Sequence, residues 1–169
     1  MLNMSIMDIR REMKFNSDVF DHLLETNCYA YALGLDVSES KICKDAYNLG
    51  IIASHVFNIP FEKIIILSNE ERMLLDFKAL KLGYKVSTTQ EASKYIFKGD
   101  YCCRLWDILL FTDYTDNDFH VARVDDDGKL HHKLGWSFIE PSVTSIDDIE
   151  KIGYTFVKRY RMSLWQSFK

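Results

Sequence analysis

The segment NCYAYALG, residues 27–34, places a cysteine where it could act as a nucleophile. Thr26 or Asn27 is typical of a helix N-cap and Gly34 of a helix end, so a short helix is predicted to begin at Cys28. In the first turn of a helix, unpaired backbone N–H groups and the helix dipole favour a thiolate. The segment therefore predicts a nucleophilic Cys28. The alternative is that Cys28 is a small apolar residue of the core.

A β-hairpin is predicted further along the chain. The segments Phe119–Val124 and Lys129–Leu134 have the composition of strands, and Asp126-Asp127-Gly128 between them is typical of a turn with glycine at a position of positive φ. A turn of this length places residue 122 opposite residue 132.

Two histidines become neighbours in that hairpin. His120 and His132 are predicted to lie diagonally on one face, about 7–8 Å apart at the backbone. A slip of one residue would bring His131 to this place instead. A histidine that a second polar side chain orients is what a general base requires.

The order of a helix-start cysteine and a distant strand histidine is that of papain-type enzymes. The chain resembles the NlpC/P60-like cysteine peptidases and their CHAP relatives, whose second block runs roughly "gly-asp-leu-leu-phe-phe … his-val-gly-ile-tyr … gly … his". The matching block here is WDILLF at 106–111, HVARV at 120–124, then Gly128 and His132. The chain also looks like a poorly characterised bacterial and phage branch of this superfamily. The resemblance covers about residues 24–136.

The resemblance implies a set of catalytic roles. Cys28 would be the nucleophile, His120 the base and His132 the third polar residue. His131 and Glu140 stay open as alternatives for the third position. The implied reaction passes through a thioacyl-enzyme and needs neither a cofactor nor a metal ion.

The substrate-binding residues follow less directly from the resemblance. The backbone N–H of Cys28 would contribute to an oxyanion hole, and Asn27 would add either a side-chain donor or only a helix cap. Tyr29 and Trp136 are candidate contacts to substrate, with packing as the alternative for Trp136. Cell-wall hydrolases of this family usually have Asp-Cys-Ser where this chain has Asn27-Cys28-Tyr29, which disfavours that substrate.

The surrounding elements predict an α+β fold. Helices are expected from Ser38 to about Leu49, from the Ser68 capping box until Gly83 ends the helix, and near Gln90–Phe97. Strands are expected at Leu105–Thr112 and at the chain end. In the last strand one face is predicted to carry Tyr154, Phe156, Tyr160, Met162 and Leu164, with Lys158 interrupting it. We expect one papain-like, NlpC/P60-type domain over residues 1–169, with N-terminal helices packed on a C-terminal antiparallel sheet.

Composition restricts the partners. The net charge of −4 argues against a nucleic-acid binder, and no apolar run has the length of a membrane span. Four cysteines without a CxxC pair favour a reducing cytoplasm, and no secretory signal is recognised. A calcium site at Asp113, Asp116 and Asp118 is an alternative to a solvated acidic loop.

We therefore predict a thiol protease or amidase that acts on a peptide or protein amide. A glutamine deamidase or acyltransferase effector would use the same residues. A catalytically silent binding protein on the same scaffold and an unrelated α+β interaction module are also compatible with these patterns. The sequence does not predict the substrate or the oligomeric state.

Overall fold

A computed structural model describes residues 27–34, 48–88, 94–115, 117–125, 127–134 and 141–167. The chain divides into two compact units. Residues 1–81 and 133–140 form the first, which we call the helical unit, and residues 82–132 and 141–169 form the second, the sheet unit. Mixed helices and antiparallel strands confirm the α+β class. The prediction of one papain-like domain stays a prediction.

The described part of the helical unit consists of short helices. They are α1 (Cys28–Leu33), α2 (Ile51–Phe57), α3 (Phe61–Ile64) and α4 (Asn69–Ala79). The predicted caps of α1 are confirmed, since Asn27 Oδ1 accepts the backbone N–H groups of Tyr29 and Ala30 and Gly34 has a φ of 75°. The predicted helix from Ser38 to Leu49 lies largely outside the described residues.

Helix α4 begins as predicted and ends earlier. Ser68 and Glu71 form the capping box, with each side chain accepting the other residue's backbone N–H. The helix ends at Ala79 rather than continuing to Gly83, which is the first residue of a strand. A Cβ atom on Gly83 would meet the hydroxyl of Ser163 on the paired strand, so a larger residue there requires that hydroxyl to move.

The sheet unit is an antiparallel sheet with one helix in its described residues. The strands are β1 (Gly83–Val86), β2 (Lys94–Lys98), β3 (Tyr101–Asp113), β4 (Asp118–Val124), β5 (Leu130–His132), β6 (Ser142–Val143) and β7 (Thr155–Ser167); the helix is α5 (Ile146–Lys151). The strand order is β1-β7-β3-β4-β5-β6, and β2 pairs with β3. The predicted β4–β5 hairpin is confirmed.

The helix predicted near Gln90–Phe97 is wrong for the part that the structure describes. Residues 94–98 form strand β2, which pairs with β3 from Lys94 opposite Leu105 to Lys98 opposite Tyr101. The aromatic and β-branched residues at 95–97 suit a strand, and the pairing with β3 overrides the weak helical pattern.

A register shift in β7 corrects the predicted distribution of its side chains. Leu110 pairs with Lys158 but Phe111 pairs with Phe156, so Val157 is an extra residue. Because side chains alternate between the two faces of a sheet, one extra residue moves every side chain beyond the bulge to the face opposite the one that simple alternation predicts. Phe156 therefore lies on the opposite face from Tyr160, not on the same face as predicted.

Helix α5 covers the Phe156 face of the sheet. Ile149 of this helix packs in a buried cluster with Leu109, Phe111, Ala122 and Val124. His120 lies on this face too, because it is paired with Phe111. Within the described residues, no helix has the length and apolar character that crossing a bilayer requires.

Candidate active site

The predicted contact between the two hairpin histidines is confirmed. Arg123 pairs with His131, and continuing this register places residue 122 opposite His132. Nε2 of His120 and Nδ1 of His132 lie 2.9 Å apart, at hydrogen-bonding distance. Only 3% of His120 and 7% of His132 is exposed. The hairpin thus holds two imidazoles together in a buried place.

His131 is excluded as the hydrogen-bonding neighbour of His120. It points to the other face of β5, where its Nε2 lies 2.9 Å from a carboxylate oxygen of Asp127. Its Nδ1 lies 3.5 Å from Asp125. The choice of register between His131 and His132 is therefore resolved in favour of His132.

Sequence reasoning missed the residues that support His120. The ring of Tyr154 lies 5.5 Å from the His120 ring, centroid to centroid, and its hydroxyl donates to Asp118 at 2.9 Å. The ring of Phe111 lies 6.3 Å away on the paired strand. Asp118 precedes His120 by two residues, which is a signal for a shared face once the strand is assigned. Nothing local indicates the contact with Tyr154.

The electrostatics of the pair favour neutral imidazoles at pH 7. Burial and, to a smaller extent, the charge of His132 lower the pKa of His120 to about 4, against the opposing charge of Asp118. Burial also lowers the pKa of His132, against the opposing charge of Asp148. One neutral ring can donate its N–H to the other, and His120 makes no other hydrogen bond among the described residues.

Cys28 occupies the first helical position of α1, as predicted, and is 5% exposed. The cap formed by Asn27 accepts the next two backbone N–H groups and does not use that of Cys28. The predicted capping role of Asn27 is therefore confirmed, and its alternative role as an oxyanion donor stays a prediction.

Lys133 is a charged residue near Cys28 that sequence reasoning missed. Its side chain is fully buried in the helical unit. Burial lowers the pKa of Lys133, and a negative charge on Cys28 would raise it. The two groups therefore lie within electrostatic range, and an ammonium group at this place favours a thiolate. The only sequence signal is that Lys133 directly follows His132.

Tyr29 lies in the core of the helical unit. It is fully buried, and its hydroxyl donates to Asp76 at 2.7 Å. Asp76 also accepts the backbone N–H groups of Gly50 and Ala53. Burial raises the pKa of Asp76 to about 6, while these three donors and the charge of Arg72 hold it down. The contact of Tyr29 with substrate stays a prediction. The complete burial of Tyr29 does not support it.

The remaining predicted site residues are placed as follows. Trp136 and Glu140 lie outside the described residues. The pairing of Cys28 with His120 stays a prediction, because Cys28 belongs to the helical unit and His120 to the sheet unit. Within the described residues, no group of three His, Cys, Asp or Glu side chains could hold a metal ion. Asp116 of the alternative calcium site is not among them.

Comparisons with known proteins add no relative. A scan against protein-family models, a search of curated proteins and a search of solved structures each give no significant match to this chain.

Proposed function

We propose that this chain is a cysteine hydrolase that cleaves an amide bond in a peptide or protein. Cys28 is the nucleophile, His120 is the general base and His132 holds His120 in position. The observation that carries the proposal is the 2.9 Å contact between Nε2 of His120 and Nδ1 of His132. It is the second half of a catalytic triad, in which a base is oriented by a third group.

The proposed reaction requires one tautomer of this pair. When Nε2–H of His120 donates to Nδ1 of His132, the lone pair of His120 remains on Nδ1. That nitrogen is then the one available to accept the thiol proton of Cys28. The low pKa of His120 keeps the ring neutral at pH 7, as a base must be before it accepts a proton.

The reaction then follows from these groups. The sulfur of Cys28 attacks the carbonyl carbon while His120 takes the thiol proton. The C–N bond breaks, and the imidazolium of His120 returns that proton to the leaving amine. Water next attacks the thioester, which releases the acid and restores the thiol. The backbone N–H of Cys28 donates to the developing oxyanion.

The proposal is tested by measuring which cysteine reacts. The protein is treated with limiting iodoacetamide over a pH series, and labelled cysteines are mapped by mass spectrometry. We expect selective labelling of Cys28 that persists below about pH 7, because the thiolate is the reactive form. His120→Ala should reduce it. His131→Ala is the matched control, since His131 lies on the opposite face and contacts Asp127.

Burial raises the pKa of the Cys102 and Cys103 thiols, which therefore serve as internal references. If Cys28 reacts no faster than these two cysteines and ignores His120→Ala, the catalytic proposal is wrong. If Cys28 is selectively activated, peptide, glutamine and acyl substrates separate a protease from a deamidase or an acyltransferase. Cys28→Ser must abolish whichever activity is found.

A further inference from the structure

A cavity of about 310 Å³ lies within the sheet unit, between the sheet and the start of α5. The side chains of Leu109, Val124 and Leu130 line it from three neighbouring strands, and Ile146 lines it from the helix. These four side chains form an apolar wall, and the rest of the described lining is glycine, polar or charged: Gly128, Thr144, Ser145, Asp147 and Arg159. The volume of the cavity is at the lower end of the range for pockets that bind small molecules.

Among the described residues, Arg159 is the cation that lines this cavity. Arg159 is paired with Leu109 across β7 and β3, and 12% of its side chain is exposed. Its Nε donates to Asp107 at 2.6 Å, and this is its only side-chain hydrogen bond among the described residues. Nη2 is buried and makes none. The guanidinium group therefore keeps a donor, Nη2, for which the described residues supply no acceptor.

A second arginine shares Asp107 with Arg159. That carboxylate is fully buried and also accepts a hydrogen bond from Nε of Arg161. Two guanidinium groups thus donate to one buried carboxylate. Arg161 does not line the cavity, so Arg159 is the member of this cluster that presents charge to it.

We propose that this cavity binds a small organic monocarboxylate with an apolar body. The carboxylate pairs with Arg159, whose planar donor group matches two carboxylate oxygens. The apolar body contacts Leu109, Val124 and Leu130. Asp147 also lines the cavity and is exposed, and its charge opposes a dianion such as phosphate more strongly than a monoanion. The proposal does not depend on the chemistry of Cys28.

The cavity begins close to the histidine pair. Leu130 and His132 are two residues apart on β5 and share a face, which separates their backbones by about 7 Å. A carboxylate in this cavity therefore binds on the same face of the sheet as His120 and His132.

The test is calorimetric titration of the full chain with N-acetyl-L-leucine, its uncharged amide and inorganic phosphate. We expect the acid to bind and the amide to bind at least about tenfold more weakly, as expected for loss of a charge-assisted hydrogen bond. Arg159→Gln should weaken binding of the acid by about tenfold or more. Arg161→Gln removes the other partner of Asp107 and should leave binding unchanged.

Equal binding of the acid and the amide, preference for phosphate, or no binding of the acid would each overturn the proposal. The same holds if Arg161→Gln weakens binding as much as Arg159→Gln, because the arginines would then act only through Asp107. If Arg159→Gln does not fold, the variant Thr144→Trp tests the proposal instead. Thr144 lines the cavity, so its enlargement should abolish binding without removing a charge.

Discussion

At the residue scale, the proposed reaction gives different tasks to the two ring nitrogens of His120. In the proposed reaction the thiol proton goes to Nδ1 of His120, because Nε2 lies in the contact with His132. His132 does not need to be charged for this purpose. It needs only an acceptor atom at the place of its Nδ1.

This requirement predicts different results for two substitutions of His132. His132→Ala removes the acceptor and should lower the rate of Cys28 alkylation at pH 7 by about 10–100-fold, as for other orienting partners. His132→Asn supplies an amide oxygen and should restore part of that rate. The measurement is the alkylation rate against pH.

A second measurement, the pKa of His120, helps to separate a positioning role of His132 from a purely structural one. The charge of His132 lowers the pKa of His120, so His132→Ala should also raise that pKa, as measured by NMR titration of the ring. If both variants react as fast as the wild type, His132 is not a positioning residue.

At the element scale, helix α1 depends on its caps because it has only six residues. Short helices are marginal by themselves, so satisfied end groups and packing must stabilise them. One side chain, Asn27, accepts two of the backbone N–H groups at its start. The position of Cys28 therefore depends on this cap.

Asn27→Ala should lower the free energy of unfolding by about 1 kcal/mol, with a range of roughly 0.5–2 kcal/mol. Asn27→Ser keeps an oxygen that accepts the same hydrogen bonds and should lose much less. Urea unfolding of the three proteins measures this difference. An alanine variant as stable as the wild type would show that packing alone holds the start of α1.

The sequence predicted features whose cause is local. The caps of α1, the capping box at Ser68 and the turn of the β4–β5 hairpin each depend on a few adjacent residues. Because the turn sets the register of the strands it joins, the contact between His120 and His132 was predictable as well.

Features that depend on distant partners were not predicted. Strand β2 exists because β3 pairs with it, and the extra residue Val157 appears only when β7 is aligned with β3. The contact of Tyr154 with Asp118 joins residues that are 36 positions apart. The buried place of Asp76 likewise requires donors from other segments of the helical unit.

At the scale of the whole molecule, two buried groups make the stability depend on pH in opposite directions. His120 of the sheet unit has a pKa of about 4, below its ordinary 6.5. As the pH falls from 6.5 to 4, the unfolded chain takes up this proton first, and His120 removes stability. Asp76 of the helical unit has a pKa of about 6, above its ordinary 3.8. Between pH 6 and 3.8 the folded protein takes up the proton first, and Asp76 adds stability.

The two contributions are similar in size, at about 3 kcal/mol each, because the pKa shifts are similar. We therefore expect them to offset one another between pH 6 and 4. Substitution of either group should therefore expose the pH dependence that the other group gives to the free energy of unfolding. The comparison is the free energy of urea unfolding of the wild type and each variant at pH 7.5 and pH 4.

The advantage of the wild type over His120→Gln should fall by about 3 kcal/mol from pH 7.5 to pH 4, since the variant lacks the titrating ring. Its advantage over Asp76→Asn should rise by a similar amount over the same interval, because the variant cannot gain from protonation. Carboxylates elsewhere titrate alike in all three proteins, so they cancel in each difference. Opposite slopes are therefore the expected signature, and parallel curves for the three proteins would contradict both pKa shifts.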